Sequence, residues 1–428
     1  MVKRSLNMSE LDDLYRLLNP WWQGAVFDSG IRRAEYENLT EKSYEYKNVE
    51  IIVGGRRTGK TTILKQVIAG LLKKVPATDI FYLQADLSGI DKLPLEKHLR
   101  NFRTLFKHPF SRKIYFLVDE IQIVPGWDGE LKSIYDLGGV KVYITGSTSY
   151  LIESRGNKLT GRQTTTRIMP LSFREFLEFK KYAPYEADTH LYVAYLDEYM
   201  ASGGYPEVVT GTAEMFYMRK LLEDVISRDI IRLFRVKKDH EVKTVLELIS
   251  AGLGTRSSYN RLAKPSGITV ATAKQYVSFL EKAYLISVMG KWTWSAKDRA
   301  YAQKKIYFSD TGFKNALDNR RDIGVRAENT LYNYLSQKAK SIGYFAESTR
   351  ELDFVTDLGQ GPIAVESKYV DELEENDKRL DGLKLYIKRN KPAKAYVATR
   401  SYEKDFVMEK TPVTAVPLWK ILLGKVSI

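Results

Sequence analysis

Short apolar runs alternate along this chain with stretches in which apolar residues recur every three or four positions. Val49 to Val53, Asp79 to Leu83, Ile114 to Val118, Lys141 to Thr145 and Thr164 to Met169 read as strands. Thr62 to Ala69, directly after the first of them, has helical spacing. This alternation predicts a parallel sheet flanked by helices. From Pro170-Leu-Ser-Phe-Arg-Glu-Phe176 onward the pattern is helical, broken at Gly203-Gly-Tyr-Pro206, as far as the charged stretch Arg235 to Glu241. Between His240 and about Asp318 the order is helix, short helix, turn, helix, then strands, the order of a winged helix. Its third helix, Val270 to Lys282, presents Ala273, Val277, Leu280 and Tyr284 as the apolar face. A helix beginning near Val325 is followed by paired strands, Leu352 to Asp357 and Ile363 to Lys368, and by strand candidates at Lys394 to Thr399 and Val413 to Trp419. The expected segments are 1–176, a lead and sheet core; 177–238, helical; 239–320, winged helix; and 321–428, mixed α/β.

The connection from first strand to first helix carries chemistry. Gly54-Gly55-Arg56-Arg57-Thr58-Gly59-Lys60-Thr61, followed by Thr62, fits the phosphate-binding loop Gly-x4-Gly-Lys-Thr in the required strand–loop–helix context. Glycines let backbone N–H groups approach phosphate, Lys60 reaches the terminal phosphates, and Thr61 can hold Mg²⁺. The third strand candidate ends in two carboxylates: Asp119 is expected to face the metal, and Glu120 to orient or deprotonate the attacking water. The cofactors implied are ATP and Mg²⁺.

Composition narrows the partners. An excess of 67 Lys plus Arg over 53 Asp plus Glu gives a net charge of +14, which favours nucleic acid or an acidic surface. On the third helix of the winged-helix segment, Lys274, Gln275, Ser278 and Lys282 are opposite the apolar face, and Lys291 to Lys297 with Arg299 to Lys305 would form a basic, aromatic-bearing wing. Lys274, Gln275, Ser278, Lys282, Lys291, Lys304 and Lys305 are therefore candidate DNA contacts. The competing reading is a winged helix used for protein contact. The absence of cysteine excludes disulfides, thiolate zinc and a cysteine nucleophile. No run has membrane-spanning length and the amino terminus lacks an apolar signal core, so a cytoplasmic protein without membrane contact is expected.

The terminal segment offers a second chemistry. Asp353 and Glu366 fall at adjacent strand positions, where two carboxylates can hold Mg²⁺. Lys368 can then stabilise an attacking hydroxide or the phosphate, and Glu328 can add a ligand from the helix. The triplet Glu-x-Lys also occurs at Glu45, Glu130 and Glu241, so the weight rests on the paired strands and on Glu328. The rival reading is that these residues close an ion-pair network with no chemistry.

Taken together, the phosphate loop, Val118-Asp-Glu-Ile-Gln122 with Pro125 and Trp127, Ile144-Thr-Gly-Ser147, Gly161-Arg162, Pro170 to Phe176, Gly203 to Pro206 and the terminal Asp353, Glu366 and Lys368 resemble a family of prokaryotic, often archaeal, AAA+-type ATPases with a restriction-endonuclease-like terminal domain. The resemblance covers nearly the whole chain. It implies an α/β protein: a P-loop AAA+ parallel sheet with a helical lid, then a winged helix and a mixed α/β nuclease-like domain similar to archaeal Holliday-junction resolvases. By it, Thr145 or Ser147 looks like a polar sensor, Arg162 an arginine finger with Arg155 as competitor, and Pro206 the lid proline that packs on adenine. The family's Pro-Asp start is absent, since Leu352 precedes Asp353. An ATPase acting on DNA, branched or single-stranded, in repair, recombination or mobile-element handling is one expectation, with metal-dependent cleavage in the terminal domain; a nucleotide-dependent switch gating a protein partner is the other. The chain is also a candidate homo-oligomer.

Overall fold

The computed structural model describes residues 8–147, 156–213, 216–231, 234–236, 238–318, 322–374, 376–426 and 428. Two compact units divide the chain, Met1–Met169 and Pro170–Ile428.

The first unit is built on five strands, β1 (Val49–Gly54), β2 (Ile80–Gln84), β3 (Ile114–Asp119), β4 (Val140–Gly146) and β5 (Gln163–Ile168), in the order β2-β3-β4-β1-β5. All neighbours are parallel. Every residue of β1 and β3 is buried, as expected of central strands covered on both faces. On one face Ile52, Leu117, Tyr143 and Ile168 pack against Ile63, Leu64, Val67 and Ile68 of the helix Lys60–Leu72. Elsewhere in the core Phe81 stacks on Phe102 at 4.5 Å and lies 5.3 Å from Phe116. The edge strand β2 is finished by the lead segment: the buried Asn19 side chain donates to the Tyr82 carbonyl at 2.9 Å and accepts from the Tyr82 N–H at 2.7 Å, serving as one more residue of strand.

The second unit begins with the helix Phe173–Lys180, started by a capping box between Ser172 and Glu175, and the helix Thr189–Ser202. The winged-helix order follows as Asp239–Ala251, Tyr259–Ala263 and Val270–Lys282, with Thr269 capping the third helix through the Thr272 N–H. The predicted wing needs correction. Its strands are β6 (Ile286–Met289) and β7 (Lys305–Phe308), paired antiparallel, and the intervening stretch forms a short helix, Ala296–Tyr301, capped by Ser295. The Ser295–x–x–Asp298 cap outweighs an extended conformation there. The chain ends in a six-stranded mixed sheet, β8 (Ser341–Glu347), β9 (Arg350–Asp357), β10 (Pro362–Ser367), β11 (Ala395–Thr399), β12 (Lys404–Met408) and β13 (Thr411–Pro417), in the order β12-β13-β11-β10-β9-β8. The helix Ile323–Lys338 packs beside it, and Tyr192 stacks on Trp419 at 4.2 Å within the same core. Among the described residues no helix is long and apolar enough to cross a membrane.

Candidate functional site

The carboxyl ends of β1, β3 and β4 meet on one edge of the first sheet, where ligands of open α/β sheets gather. Gly54 has φ 155°, and a Cβ there would stand 2.2 Å from the Ile168 carbonyl, so only glycine lets β1 turn into the loop beside β5. Gly59, at φ 95°, precedes the helix Lys60–Leu72, whose first-turn amides at Lys60, Thr61 and Thr62 are those a helix offers to an anion. Within the loop the Thr58 hydroxyl donates to the Gly55 carbonyl at 2.9 Å, and the buried Lys60 ammonium donates to the same carbonyl at 2.8 Å. Arg56 is half-buried and Arg57 exposed.

Around this loop the predicted residues converge. The Thr61 hydroxyl donates to Asp119 Oδ2 at 2.7 Å, the pairing expected of two groups that would share a magnesium ion. The Thr145 hydroxyl donates to Asp119 Oδ1 and accepts the Glu120 N–H at 2.9 Å. Glu120 itself adopts a left-handed conformation, φ 54° and ψ 47°. Burial raises its carboxyl above the usual range, a shift that Lys60 opposes and Asp119 reinforces. Ser147 is one step further out: the Gln122 amide donates both to it, at 3.1 Å, and to the Glu120 carboxylate.

Three contributors have no role assigned from the sequence, although Gln122 lies in the stretch Val118 to Gln122. Tyr82 donates to Asp119 Oδ2 at 3.1 Å from the neighbouring strand. Gln122 bridges Glu120 and Ser147. Arg33, 2% exposed, donates to the Thr58 carbonyl at 3.0 Å and to the Met169 carbonyl at 3.1 Å, buttressing the loop from behind. Arg162 is not brought to the loop of its own chain. Its carbonyl accepts the Val49 N–H at the opposite end of β1, roughly 17 Å away at about 3.3 Å per residue, and its side chain pairs with Asp136 at 3.1 Å. Arg155 lies outside the described residues.

In the second unit, Pro206 opens the short helix Pro206–Val209. The two glycines before it answer to Asp310: the Gly204 and Gly312 amides donate to its carboxylate at 2.7 and 2.8 Å, and a Cβ on Gly203 would stand 2.0 Å from Asp310 Oδ1. Burial pushes the Asp310 carboxyl up to about 6, against those two amides.

The terminal carboxylates are brought together as the strand register requires. Val365 faces Phe354, and one step on, the Asp353 N–H donates to Glu366 Oε2 at 3.1 Å. Lys368 pairs with Glu366 and, at 3.6 Å, with Asp353. Lys305, however, is the correction. It is no surface residue of a wing: 1% exposed, its ammonium lies 2.9 Å from Glu328, 2.6 Å from Glu351 and 3.0 Å from Asp353. Burial pulls this ammonium down, but Asp353 and Glu328 together raise it well above the ordinary lysine range. Burial and Asp353 raise Glu328 to about 7 and Glu366 to about 8, whereas Lys305 and Lys368 overcome burial and hold Asp353 below its usual value. The three-carboxylate Mg²⁺ site expected of Glu328, Asp353 and Glu366 does not fit this arrangement, because a lysine ammonium stands between two of the three. Among the described residues no group of three or more His, Asp or Glu side chains is arranged to hold a metal ion.

The remaining candidate DNA contacts are reachable to different degrees. Lys274 and Gln275 are exposed, whereas Ser278, Lys282, Lys291 and Lys304 are half-buried. Burial, Lys274 and Arg299 lower the Lys304 ammonium, which puts these cations in one electrostatic neighbourhood. Trp294 and Tyr301, 90% and 84% exposed, lie on either side of Arg299 in sequence.

Residues 46–177 match the family model described as an AAA domain, and residues 193–324 match one described as a domain of unknown function, DUF8612. An uncharacterized protein of Haemophilus influenzae is 26% identical over 406 residues, 90% of this chain and 97% of its own length. One of Methanocaldococcus jannaschii is 25% identical over 398 residues, 87% of each. Among solved structures, the Aeropyrum pernix ORC1 protein in complex with DNA overlays 74% of this chain and 92% of its own at TM-score 0.30 and 13% identity. AMPPCP-bound DnaA from Aquifex aeolicus overlays 62% and 92% at TM-score 0.32 and 14% identity. The phosphate loop, its paired carboxylates and its parallel sheet thus lie within the residues that match an AAA domain, and the sheet has the P-loop fold of the AAA+ type.

Proposed function

We propose that this chain is an ATPase whose AAA domain binds and hydrolyses ATP with Mg²⁺, and that it acts on DNA through the winged-helix segment. The observation that carries the nucleotide reading is the Thr61–Asp119 contact at 2.7 Å beside a glycine-shaped loop. Thr61 and Asp119 would hold Mg²⁺, which supplies charge neutralisation to the phosphates. Lys60 and the loop amides bind and orient those phosphates. Glu120, held by Thr145 and by Gln122, orients the attacking water and takes its proton, a task suited to a carboxyl whose burial raises its proton affinity. Arg162 belongs to this reading only across subunits, as a finger offered to a second copy of the chain, and Pro206 as the lid proline. The segments 1–176, 177–238, 239–320 and 321–428 are proposed as core, lid, winged helix and terminal domain, in a cytoplasmic protein.

Support for DNA is the exposed Lys274 and Gln275 on the helix Val270–Lys282, the adjoining Lys304 and Arg299, and the +14 net charge. Two measurements test the proposal. Lys60→Ala should abolish tight ATP binding, while Glu120→Gln keeps binding and suppresses hydrolysis; equal loss of affinity in both would refute the assignment. Binding to duplex, fork and four-way junction should weaken steeply with salt, and Lys274→Ala with Lys282→Ala should flatten that slope. No salt-dependent binding to any of the three would leave the nucleotide-dependent switch acting on a protein partner.

A further inference from the structure

The acidic cluster of the terminal sheet has the carboxylates a divalent ion needs, and what separates it from a metal site is a single residue contributed by another segment. β7 alternates: Ile306 and Phe308 enter the core of the winged-helix segment, while Lys305 and Tyr307 face the other way. Both of the latter reach Glu328, Lys305 at 2.9 Å and the Tyr307 hydroxyl at 2.7 Å. The Lys305 ammonium thus has three carboxylate oxygens within 3.0 Å, from the helix Ile323–Lys338 and from two positions of β9. That is the ligand count of a cation centre, with the separations of charge-assisted hydrogen bonds rather than the ~2.1 Å of Mg²⁺–oxygen bonds.

The other oxygens of Asp353, Glu366 and Glu351 are spoken for as well. Asp353 Oδ2 accepts the Ser367 N–H at 3.1 Å, Glu366 Oε2 accepts the Asp353 N–H at 3.1 Å, Lys368 covers the remaining oxygen of Glu366, and Arg256 pairs with Glu351 Oε2 at 2.6 Å. Access is not the obstacle to an ion. A cleft of about 510 Å³, lined among others by Arg256, Arg261 and Gln303, opens onto Lys305, Glu328 and Asp353. An ion arriving there meets two arginines and a fixed ammonium. To bind, it would have to displace a positive charge that is tethered to β7 and cannot diffuse away.

We propose that Lys305 is the resident cation of this cluster: its ammonium holds the place a divalent ion would take between Glu328 and Asp353, fastens the β6–β7 hairpin to the terminal sheet, and leaves the terminal domain without metal-dependent cleavage. The nearness of this arrangement to a metal site makes a gain of function the sharpest consequence. Removing the ammonium leaves Glu328, Glu351 and Asp353 facing a methyl group and an open cleft.

Counting bound Mn²⁺ on the full-length protein, nucleotide-free, by electron paramagnetic resonance tests this. Wild type and Asp353→Asn should bind the same number of ions, because the cluster holds none. Lys305→Ala should bind one more per chain, and the added ion should vanish in Lys305→Ala with Asp353→Asn. An ion bound by wild type and lost in Asp353→Asn or Glu366→Gln overturns the proposal, as does Mn²⁺-dependent DNA cleavage by wild type that Asp353→Asn abolishes. A folded Lys305→Ala that gains no ion overturns it equally. Should Lys305→Ala fail to fold, the wild-type comparison with Asp353→Asn and Glu366→Gln decides alone.

Discussion

Thr145 is the residue on which the geometry of the proposed ATPase site can be tested most directly. Its side chain is fully buried, and its one hydroxyl donates to Asp119 while accepting the Glu120 N–H at 2.9 Å. Valine has nearly the same shape but no hydroxyl, so Thr145→Val keeps the packing of β4 and removes both contacts. Asp119 retains its other donors, Thr61 at 2.7 Å and Tyr82 at 3.1 Å, and should stay in place. Glu120 is worse served. Its N–H loses its acceptor, a cost of about 1–3 kcal/mol for a buried donor, and its left-handed backbone costs roughly 1 kcal/mol more that the Thr145 contact helps to hold.

If most of that free energy appears as misplacement of the Glu120 carboxylate, turnover should fall by about 10- to 100-fold at 1.4 kcal/mol per decade. This lies below the roughly 10²–10⁴-fold that a positioned general base supplies. Nucleotide affinity depends on the loop and on Lys60 and should change by less than about threefold. Phosphate-release kinetics for turnover and titration of a fluorescent nucleotide for affinity measure the two quantities. Thr145→Ser restores the hydroxyl and should recover turnover to within about threefold of wild type. Wild-type turnover in Thr145→Val would refute the reasoning. A loss in Thr145→Ser as large as in Thr145→Val would show that the hydroxyl contacts alone do not account for the effect.

Two further predictions concern the second unit. Gly203→Ala drives a Cβ to 2.0 Å from Asp310 Oδ1 at a backbone φ of +83°, so it should cost roughly 3 kcal/mol or more in urea unfolding, whereas Gly211→Ala, at φ +73° with nothing within 4 Å, should cost about 1 kcal/mol; equal losses would refute the role given to Asp310. Asp310 holds its proton up to about pH 6 in the folded chain and to about 3.8 when unfolded, so the native state binds more protons between these values and its stability falls as pH rises through them, by on the order of 3 kcal/mol, then levels off. Unfolding midpoints across pH 4–7 should show this decline in wild type and lose it in Asp310→Asn; the same slope in both would mean that Asp310 titrates normally.

How much of this was readable in advance follows from what buries each element. β1, β3 and β4 are covered on both faces, so their sequences are nearly continuous apolar runs and stand out from the chain. The helix Val270–Lys282 was legible because Ala273, Val277 and Leu280 give it an apolar face, although Tyr284, expected on that face, lies past its end. β8 and β12 left no such trace. They are the two edges of the terminal sheet, and β12 exposes Lys404, Asp405 and Val407, so neither alternation nor an apolar run marks it. The phosphate loop, Asp119 and Glu120 sit at strand ends and are legible by position, whereas Thr145, as an alternative to Ser147, comes only from the family resemblance. Arg33 and Tyr82 are legible by neither, since what assigns them a role is a contact 25 to 136 residues away in sequence.

Lys304 and Lys305 show where pattern reading stops. As neighbours in a basic stretch they drew one interpretation, yet Lys304 is half-buried and donates to the Arg299 carbonyl while Lys305 is sealed among three carboxylates. The difference is one step of strand register. Pairing with β6 places Ile306 opposite Val288 and sends every second side chain of β7 toward Glu328; a slip by one residue would have buried Lys304 and Ile306 there instead. Composition and local spacing are unchanged by such a slip, so no count of charges along the chain could have assigned either lysine. The register is set by the core that Ile306 and Phe308 enter, and it is this apolar packing that decides which lysine meets the acidic cluster.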